Sequence, residues 1–295
     1  MTTVNNDLKT MNKLMNPCFV ACQLICVGIV SMCCQSANAQ AFFTENFNYS
    51  AGWLGGNVNP STGNAWSGGN STLDVGSSQL TYAGLQEAAG NDLVYTPGGG
   101  NSSYNNFVTP VTGAGSSVYY SFLIDCIAAP TGNNYISSLN PASGTPNGNG
   151  DDLAIYDGTS GSGWKIGVRT GNTSSGAQYS GTLALNTTYF VVAELTLGST
   201  SVANIYVDPT PGGLQSGATL ANTESTTEAL TSVGDVGFKS SSGSSQGDFL
   251  MSDLEIGTTW ADVTPSAVPE PGTLALLGSG LVLLQVGWRR LQKRA

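Results

Sequence analysis

Histidine is missing from all 295 residues of the chain. This absence excludes Ser-His-Asp and Cys-His nucleophilic arrangements, and it excludes metal sites built on imidazole. Charged residues are also scarce, since they make up 9% of the chain, whereas they are about a quarter of an average soluble domain. A surface made mostly of uncharged polar residues suits an extracellular matrix better than the cytosol.

Positive charge is especially scarce between residues 41 and 268. This segment holds three basic residues, Lys165, Arg169 and Lys239, against seventeen Asp and Glu, which leaves a net charge of −14. Such a surface repels nucleic acid and anionic lipid, so we expect neither as a partner of this segment. The excess of carboxylates either attracts cations or serves solubility alone.

Cysteine is nearly absent from the same segment. Five of the six cysteines lie between residues 18 and 34, and only Cys126 follows them. A single thiol excludes a disulfide within the segment. Its apolar neighbours predict a buried, inert side chain.

The chain begins with the pattern of a secretory signal peptide, which we predict over residues 1–39. A basic head precedes an apolar stretch at 17–32, and the small residues that end at Ala39 suit cleavage after that residue. Translation starts at Met1 or at Met11, because a start at Met11 would give a short basic head. The fold prediction excludes this segment.

The chain ends with a proline-flanked acid, an apolar run and a basic tail. Pro269-Glu270-Pro271 is predicted to be extended, because its two prolines prevent both helix and sheet pairing. Residues 273–288 carry no charge and as a helix would reach about 24 Å, a little short of a ~30 Å hydrocarbon core. We predict a transmembrane helix that anchors the protein in the inner membrane. The cytoplasmic basic stop after it comprises Arg289, Arg290, Lys293 and Arg294.

This order of parts resembles the PEP-CTERM sorting signal of bacteria that make extracellular polysaccharide. Pro269, Glu270 and Pro271 match its namesake motif, and Leu274–Trp288 match its helix. The resemblance implies an exosortase, a membrane-embedded cysteine transpeptidase, as a partner, and a final place at the cell surface or outside the cell. The residues alone also allow a plain tail anchor behind a proline-rich linker.

Between the two ends, no long window carries a helical apolar stripe free of Gly and Pro. Short β-branched and aromatic runs alternate with Gly-rich turns, which predicts a β-sandwich or a barrel. Long connections are expected at residues 131–150 and 209–231. After an edge strand near residues 41–49, the predicted strands are Gln79–Ala83, Asp92–Thr96, Ser117–Ile127, Asp152–Tyr156, Trp164–Thr170, Thr188–Leu197, Val202–Val207, Val233–Lys239 and Asp248–Ile256.

A second resemblance rests on three short sequence motifs: Glu45-Asn-Phe-Asn-Tyr49, the segment 204–209 and the segment 252–264. Together they resemble the laminin-G-like, concanavalin-A-like jelly roll. This implies an all-β fold, a two-sheet antiparallel jelly-roll sandwich over residues 40–264, with its first and last strands paired. The signal helix precedes it, and the sorting segment 265–295 with its transmembrane helix follows it.

Two tryptophans are candidates for carbohydrate binding. Trp53 and Trp66 lie in a Gly/Asn-rich stretch at 50–69, where an indole ring could stack on a sugar. The alternative is that they anchor the loop or fill the core.

Three aspartates are candidates for a calcium site, and no other cofactor is expected. Asp151, Asp152 and Asp157 follow a Gly/Asn-rich turn. Calcium takes about six to eight oxygen ligands, more than these residues supply. Asp is also common in turns because it forms Asx-turns.

One strand carries two carboxylates with the spacing of a glycosidase pair. Glucanases with jelly-roll folds resemble one another in a strand with Glu, Asp and Glu on one face, and retaining enzymes need carboxyls about 5–5.5 Å apart. Asp253 and Glu255 share a face, but the third carboxylate is missing, since Asp248 is predicted on the opposite face. We therefore predict no catalytic residue.

These observations predict an exported, non-enzymatic surface or matrix protein that binds extracellular polysaccharide. The rival prediction is an extracellular glycan hydrolase or lyase on the same fold. A passive matrix protein without a small ligand is the third.

Overall fold

The computed structural model describes residues 40–68, 71–141, 152–171 and 176–267. The predicted signal peptide, Asp151 and everything from Val268 onward lie outside these residues. Strands dominate the described part, and no α-helix occurs in it. Two short 3-10 helices are present, Gln215–Gly217 and Trp260–Asp262.

The strands form two antiparallel sheets, one of nine strands and one of seven. Their bounds are β1 Phe43–Glu45, β2 Gly52–Trp53, β3 Ser67–Gly68, β4 Leu73–Val75, β5 Leu93–Tyr95, β6 Ser102–Thr112, β7 Ser117–Ala128, β8 Asn134–Asn140, β9 Leu153–Ser160, β10 Gly163–Thr170, β11 Gln178–Tyr179, β12 Tyr189–Thr196, β13 Ser201–Val207, β14 Leu220–Thr226, β15 Ser232–Lys239 and β16 Asp248–Gly257.

The predicted all-β, two-sheet antiparallel architecture is confirmed. The nine-stranded sheet has the order β14-β13-β12-β7-β16-β5-β4-β2, with β1 also paired to β16. The seven-stranded sheet has the order β11-β10-β9-β8-β15-β6-β3. The expected pairing of first and last strands is present, since Phe43 lies opposite Ile256.

The main core fills the space between the two sheets, because alternate side chains of each strand point toward the other sheet. The predicted central strands β7 and β12 supply residues such as Tyr120, Phe122 and Val191, all fully buried. Cys126 belongs to the same cluster, and burial raises the pKa of its thiol to about 12. The prediction of a buried cysteine is therefore confirmed, and its inertness stays a prediction.

A second apolar cluster lies on the other face of the nine-stranded sheet. Tyr119, Leu123 and Phe190 project from that face, and Leu85 and Trp260 pack over them from connecting segments. This face of the sheet is therefore covered by loops.

The sequence prediction was wrong for several elements. Residues 79–83 were predicted as a strand, but they belong to the loop over the second cluster. Conversely, β6, β8 and β14 form where polar residues predicted connections. Polar residues suit these strands because each has one face outside the core, and pairing with neighbours satisfies the backbone.

Candidate functional site

The two candidate tryptophans have opposite environments. Trp66 is 1% exposed, stacks on Phe238 at a centroid distance of 5.1 Å and donates its indole N–H to Glu45. Its ring is therefore core and is not available to a glycan, which corrects the interpretation of Trp66 as a binding platform. Trp53 is 62% exposed on the short edge strand β2, so only Trp53 keeps the accessibility that stacking requires.

The structure does not bring together the two candidate calcium ligands that it describes, Asp152 and Asp157. Asp152 directly precedes β9, whereas Asp157 lies five residues further along the chain, roughly 17 Å away in an extended strand. The Asp157 carboxylate accepts backbone N–H groups from Asn134 and Gly247 at 2.6 and 2.9 Å. Burial raises its pKa to about 6. Among the described residues, no group of three or more His, Cys, Asp or Glu is arranged to hold a metal ion.

The carboxylates of the broken glycosidase pattern lie on the loop-covered face of the nine-stranded sheet. Asp253 is 5% exposed and accepts the Ala88 N–H at 3.3 Å. Burial, with the neighbouring charge of Glu87, raises its pKa to about 7. Burial, with Asp253 and Asp262 nearby, raises the pKa of Glu255 to about 8. Because the segment around Ala88 covers Asp253, this carboxylate does not face an open cleft.

The segment 41–268, called the body below, has three basic residues. All three lie on the outer face of the seven-stranded sheet. On β10, Lys165 and Arg169 alternate with core residues such as Ile166, which is fully buried. On β15, Lys239 follows the fully buried Phe238. Side chains alternate between the two faces of a strand, so the three cations share the face opposite the core.

Two tyrosines lie between these cations and complete a continuous row. Tyr135 on β8 is opposite Tyr156 on β9, and their ring centroids are 6.0 Å apart. The Lys239 Nζ lies 5.4 Å from the Tyr135 ring centroid, and the Arg169 guanidinium carbon lies 5.1 Å from that of Tyr156. These are cation–π distances. The row therefore runs Lys239, Tyr135, Tyr156, Arg169 across four neighbouring strands.

Hydrogen bonds hold one end of the row. Tyr135 donates its hydroxyl to Ser138, and the Ser138 hydroxyl donates to Asn140 Oδ1 at 2.9 Å. Asn140 in turn donates its amide to Asp235 on β15. Ser138, Asn140 and Asp235 are almost fully buried, so this chain fixes the phenol of Tyr135 rather than leaving it to rotate.

At the other end of the row, two glycines lie directly beneath the ring of Tyr179. A Cβ atom at Gly158 would lie 2.6 Å from Tyr179 Cε1, and one at Gly167 would lie 2.6 Å from Tyr179 Cδ1. The Tyr179 ring therefore packs directly on the sheet backbone at these two glycines. Burial, and to a smaller extent the charge of Asp157, raises the pKa of Tyr179, so its phenol is neutral at physiological pH. We call these six residues the tyrosine–basic face: Tyr135, Tyr156, Lys165, Arg169, Tyr179 and Lys239.

The sequence interpretation noted the three cations but assigned them no role, and it missed the tyrosines. The signal available was the common parity of Lys165 and Arg169 on one predicted strand. That signal does not reveal that β8 and β15 are the neighbouring strands that carry Tyr135 and Lys239.

The C-terminal segment matches a known family model. Residues 267–291 match the family model described as the PEP-CTERM protein-sorting motif. The motif indicates an exported protein that an exosortase sorts to the cell surface. The match includes Pro269, Glu270 and Pro271, which lie outside the described residues. Within the described part of the chain, no helix has the length and apolar character to cross a bilayer.

Solved structures with a similar fold include carbohydrate-related proteins. The alginate lyase Aly36B is 15% identical with a TM-score of 0.49, over 73% of this chain and 96% of its own. The globular domain of T. cruzi calreticulin is 14% identical with a TM-score of 0.45, over 76% and 90%. An endo-β-1,4-glucuronan lyase from the fungus Trichoderma reesei is 14% identical with a TM-score of 0.40, over 77% and 99%. No curated protein sequence matches the chain. At these values the likeness says nothing about a ligand of this chain.

Proposed function

We propose that this exported, PEP-CTERM-sorted protein binds an anionic extracellular polysaccharide through its tyrosine–basic face. The observation that carries the proposal is the gathering of Lys165, Arg169 and Lys239 on one sheet face. The body as a whole has a net charge of −14, from these three cations and seventeen carboxylates.

The chemistry of the face suits a carboxylated or sulfated sugar chain. Lysine and arginine bind anionic groups through charge-assisted hydrogen bonds. The ring of Tyr156 is only partly buried and offers apolar surface to a pyranose face, with the buried Tyr135 ring packed beside it at a centroid distance of 6.0 Å.

We further propose that the apolar run at 273–288 anchors the protein in the inner membrane as a helix until an exosortase processes it. Positive-inside orientation would keep Arg289 and Arg290 in the cytoplasm and the body outside. The body would then meet polysaccharide only after export. In this proposal the protein is a non-enzymatic surface or matrix component that needs no cofactor.

A lyase acting on uronate polymers is the second candidate, favoured by the Lys239 ammonium, which could hold a substrate carboxylate on this face. In such a reaction a base removes the proton from the carbon next to the carboxylate. The electron pair forms a carbon–carbon double bond, the neighbouring C–O bond breaks, and the leaving oxygen takes up a proton. The product carries an unsaturated sugar at its new end.

Binding and cleavage are separated by one experiment on the purified body. Anionic polysaccharides such as polyuronates, and neutral glucans as controls, are titrated calorimetrically, and ultraviolet absorbance reports unsaturated ends. We expect saturable, salt-sensitive binding of the anionic polymer, at least about tenfold weaker after Lys239→Gln or Tyr156→Ala, each of which removes a charge-assisted or stacking contact. Trp53→Ala is the matched control, because it removes an exposed ring away from this face.

Equal affinity of the wild type and both face variants would refute the assignment of the face. A loss with Trp53→Ala alone would move the site to β2. Formation of unsaturated ends by the wild type, lost in the Lys239→Gln variant, would establish the lyase instead of the simple binding protein.

A further inference from the structure

The last described residues of the body are held between two loops. On one side, Gln86 N–H donates to Pro265 O at 3.0 Å, and Ala267 N–H donates to Gly84 O at 2.9 Å. Leu85 and Ser266 thereby form an antiparallel bridge. On the other side, Gly212 N–H donates to Thr264 O at 2.6 Å. Residues 264–267 therefore lie as an extended segment with partners on both flanks.

The loop that supplies this bridge is itself fixed on the body. Leu85 is 6% exposed and belongs to the second apolar cluster with Trp260. Tyr82 N–H donates to the Glu87 carboxylate, and Ala88 N–H donates to Asp253. The bridge is thus part of the packed structure, and its opening requires the loss of specific hydrogen bonds.

We propose that this bridge between residues 84–86 and 265–267 is a clamp that restricts access of the exosortase to the sorting motif. Tail processing then requires transient release of residues 265–267 from the body. The inference rests on the proposed sorting of the protein by an exosortase. It concerns what the folded body contributes to that reaction.

The reach of the chain supports the clamp. Pro269 follows Ala267 by two residues, so Glu270 lies at most about 11 Å from Ala267 at ~3.6 Å per residue. A body of this size has a radius of gyration of about 17 Å. While the clamp is closed, a membrane-embedded enzyme must therefore approach the held residue Ala267 to within about 11 Å to reach the motif.

The first test opens the clamp by removing one donor. Ala267→Pro deletes the N–H that bonds Gly84, and Ala267→Ser is the matched control that keeps it. One such hydrogen bond corresponds to about a fivefold change in the opening equilibrium. We expect the initial rate of tail removal, followed by mass spectrometry of the C-terminus in exosortase-containing membranes, to rise about fivefold in the proline variant only.

A second test lengthens the tether without touching the clamp. A flexible Gly-Ser insertion of about eight residues between Ala267 and Val268 places the motif well beyond the body. We expect a rise in processing rate at least as large as that of Ala267→Pro, with an unchanged thermal unfolding midpoint.

A third test locks the clamp. Leu85 and Ser266 are a non-hydrogen-bonded antiparallel pair, whose Cα atoms lie about 4.5 Å apart, within the range that a disulfide spans. We expect the oxidised Leu85→Cys, Ser266→Cys double variant to be processed more slowly than the wild type and to recover with dithiothreitol. Each single cysteine variant serves as a control.

The outcomes separate the clamp from the sorting proposal. Equal processing rates in the wild type, Ala267→Pro and the linker insertion would overturn the clamp and leave sorting intact. An unprocessed tail in every variant, including the wild type, would overturn the proposed sorting and the clamp with it.

Discussion

The indole N–H of Trp66 donates a 2.8 Å hydrogen bond to the carboxylate of Glu45, and both side chains are 1% exposed. The same carboxylate accepts the Phe47 N–H at 2.7 Å, the Tyr49 hydroxyl at 2.6 Å and the Asn59 amide at 2.9 Å. One buried acid therefore joins the first strand to the loop that follows it. The motif Glu45-Asn-Phe-Asn-Tyr49 therefore has a physical basis, because its first and last residues are joined by a hydrogen bond.

Removal of the charge of Glu45 is expected to destabilise the fold. Glu45→Gln replaces an acceptor-only group with an amide whose NH₂ faces several donors, and an unsatisfied buried group costs about 1–3 kcal/mol or more when its partner was charged. Urea unfolding of the purified body should show a loss of this order. Glu228→Gln, at an exposed position, is the matched control. Equal midpoints for the two variants would contradict the role of Glu45.

Replacement of the buried Trp66 is expected to lower stability much more than replacement of the exposed Trp53. Trp66→Ala creates a cavity against Phe238 and deprives Glu45 of a donor, so the expected loss is about 3–5 kcal/mol. Trp53→Ala removes an exposed ring and should change stability by no more than about 0.5 kcal/mol. Thermal melts of the two variants measure the difference. A similar loss for both would contradict the placement of Trp66 in the core.

Stability is expected to fall as pH rises from 5 to 8. Burial raises the pKa of Asp253 to about 7 and of Glu255 to about 8. Both carboxyls therefore keep a proton in the folded state at pH values where the unfolded chain has lost it, which lowers stability as pH rises. At ~1.4 kcal/mol per pKa unit, we expect a loss on the order of 3 kcal/mol from Asp253 alone between pH 5 and 7, with a further loss from Glu255.

The variant Asp253→Asn tests this pH dependence. Its amide carries no titratable proton, and asparagine tolerates the positive φ of 50° at this position. We expect its unfolding midpoint to depend less on pH between 5 and 8 than that of the wild type. Some slope remains, since the pKa of Asp157 is also raised, to about 6. A wild-type midpoint that increases over this range would rule the explanation out.

The two glycines beneath the Tyr179 ring are expected to tolerate no side chain. Gly167→Ala places a methyl group 2.6 Å from the Tyr179 ring, so the ring must move off the sheet at a cost of about 1–3 kcal/mol. We expect weaker binding of the anionic polymer as well. Gly161→Ala is the matched control, because a Cβ atom at Gly161 meets nothing within 4 Å. Unchanged affinity in Gly167→Ala would place the ligand away from Tyr179.

Local pattern alone predicted the all-β class and most of the strands. Runs such as 118–127 and 189–197 are β-branched and aromatic, and Gly-rich turns separate them, so strand pairing was the expected way to bury them. The local pattern did not predict β6, β8 and β14, because their polar side chains resemble those of loops. The backbone of these strands is satisfied by neighbours that are distant in sequence.

The sequence by itself determined the charge balance, the exclusion of histidine chemistry and the tripartite C-terminal segment, because these depend only on residue identity and order. Only the tertiary structure decided which residues meet. Residue parity along a strand specifies a face, but it does not specify the neighbouring strand. The insertion of β15 beside β8 places Lys239 against Tyr135, and this contact arises from long-range strand pairing between segments about a hundred residues apart.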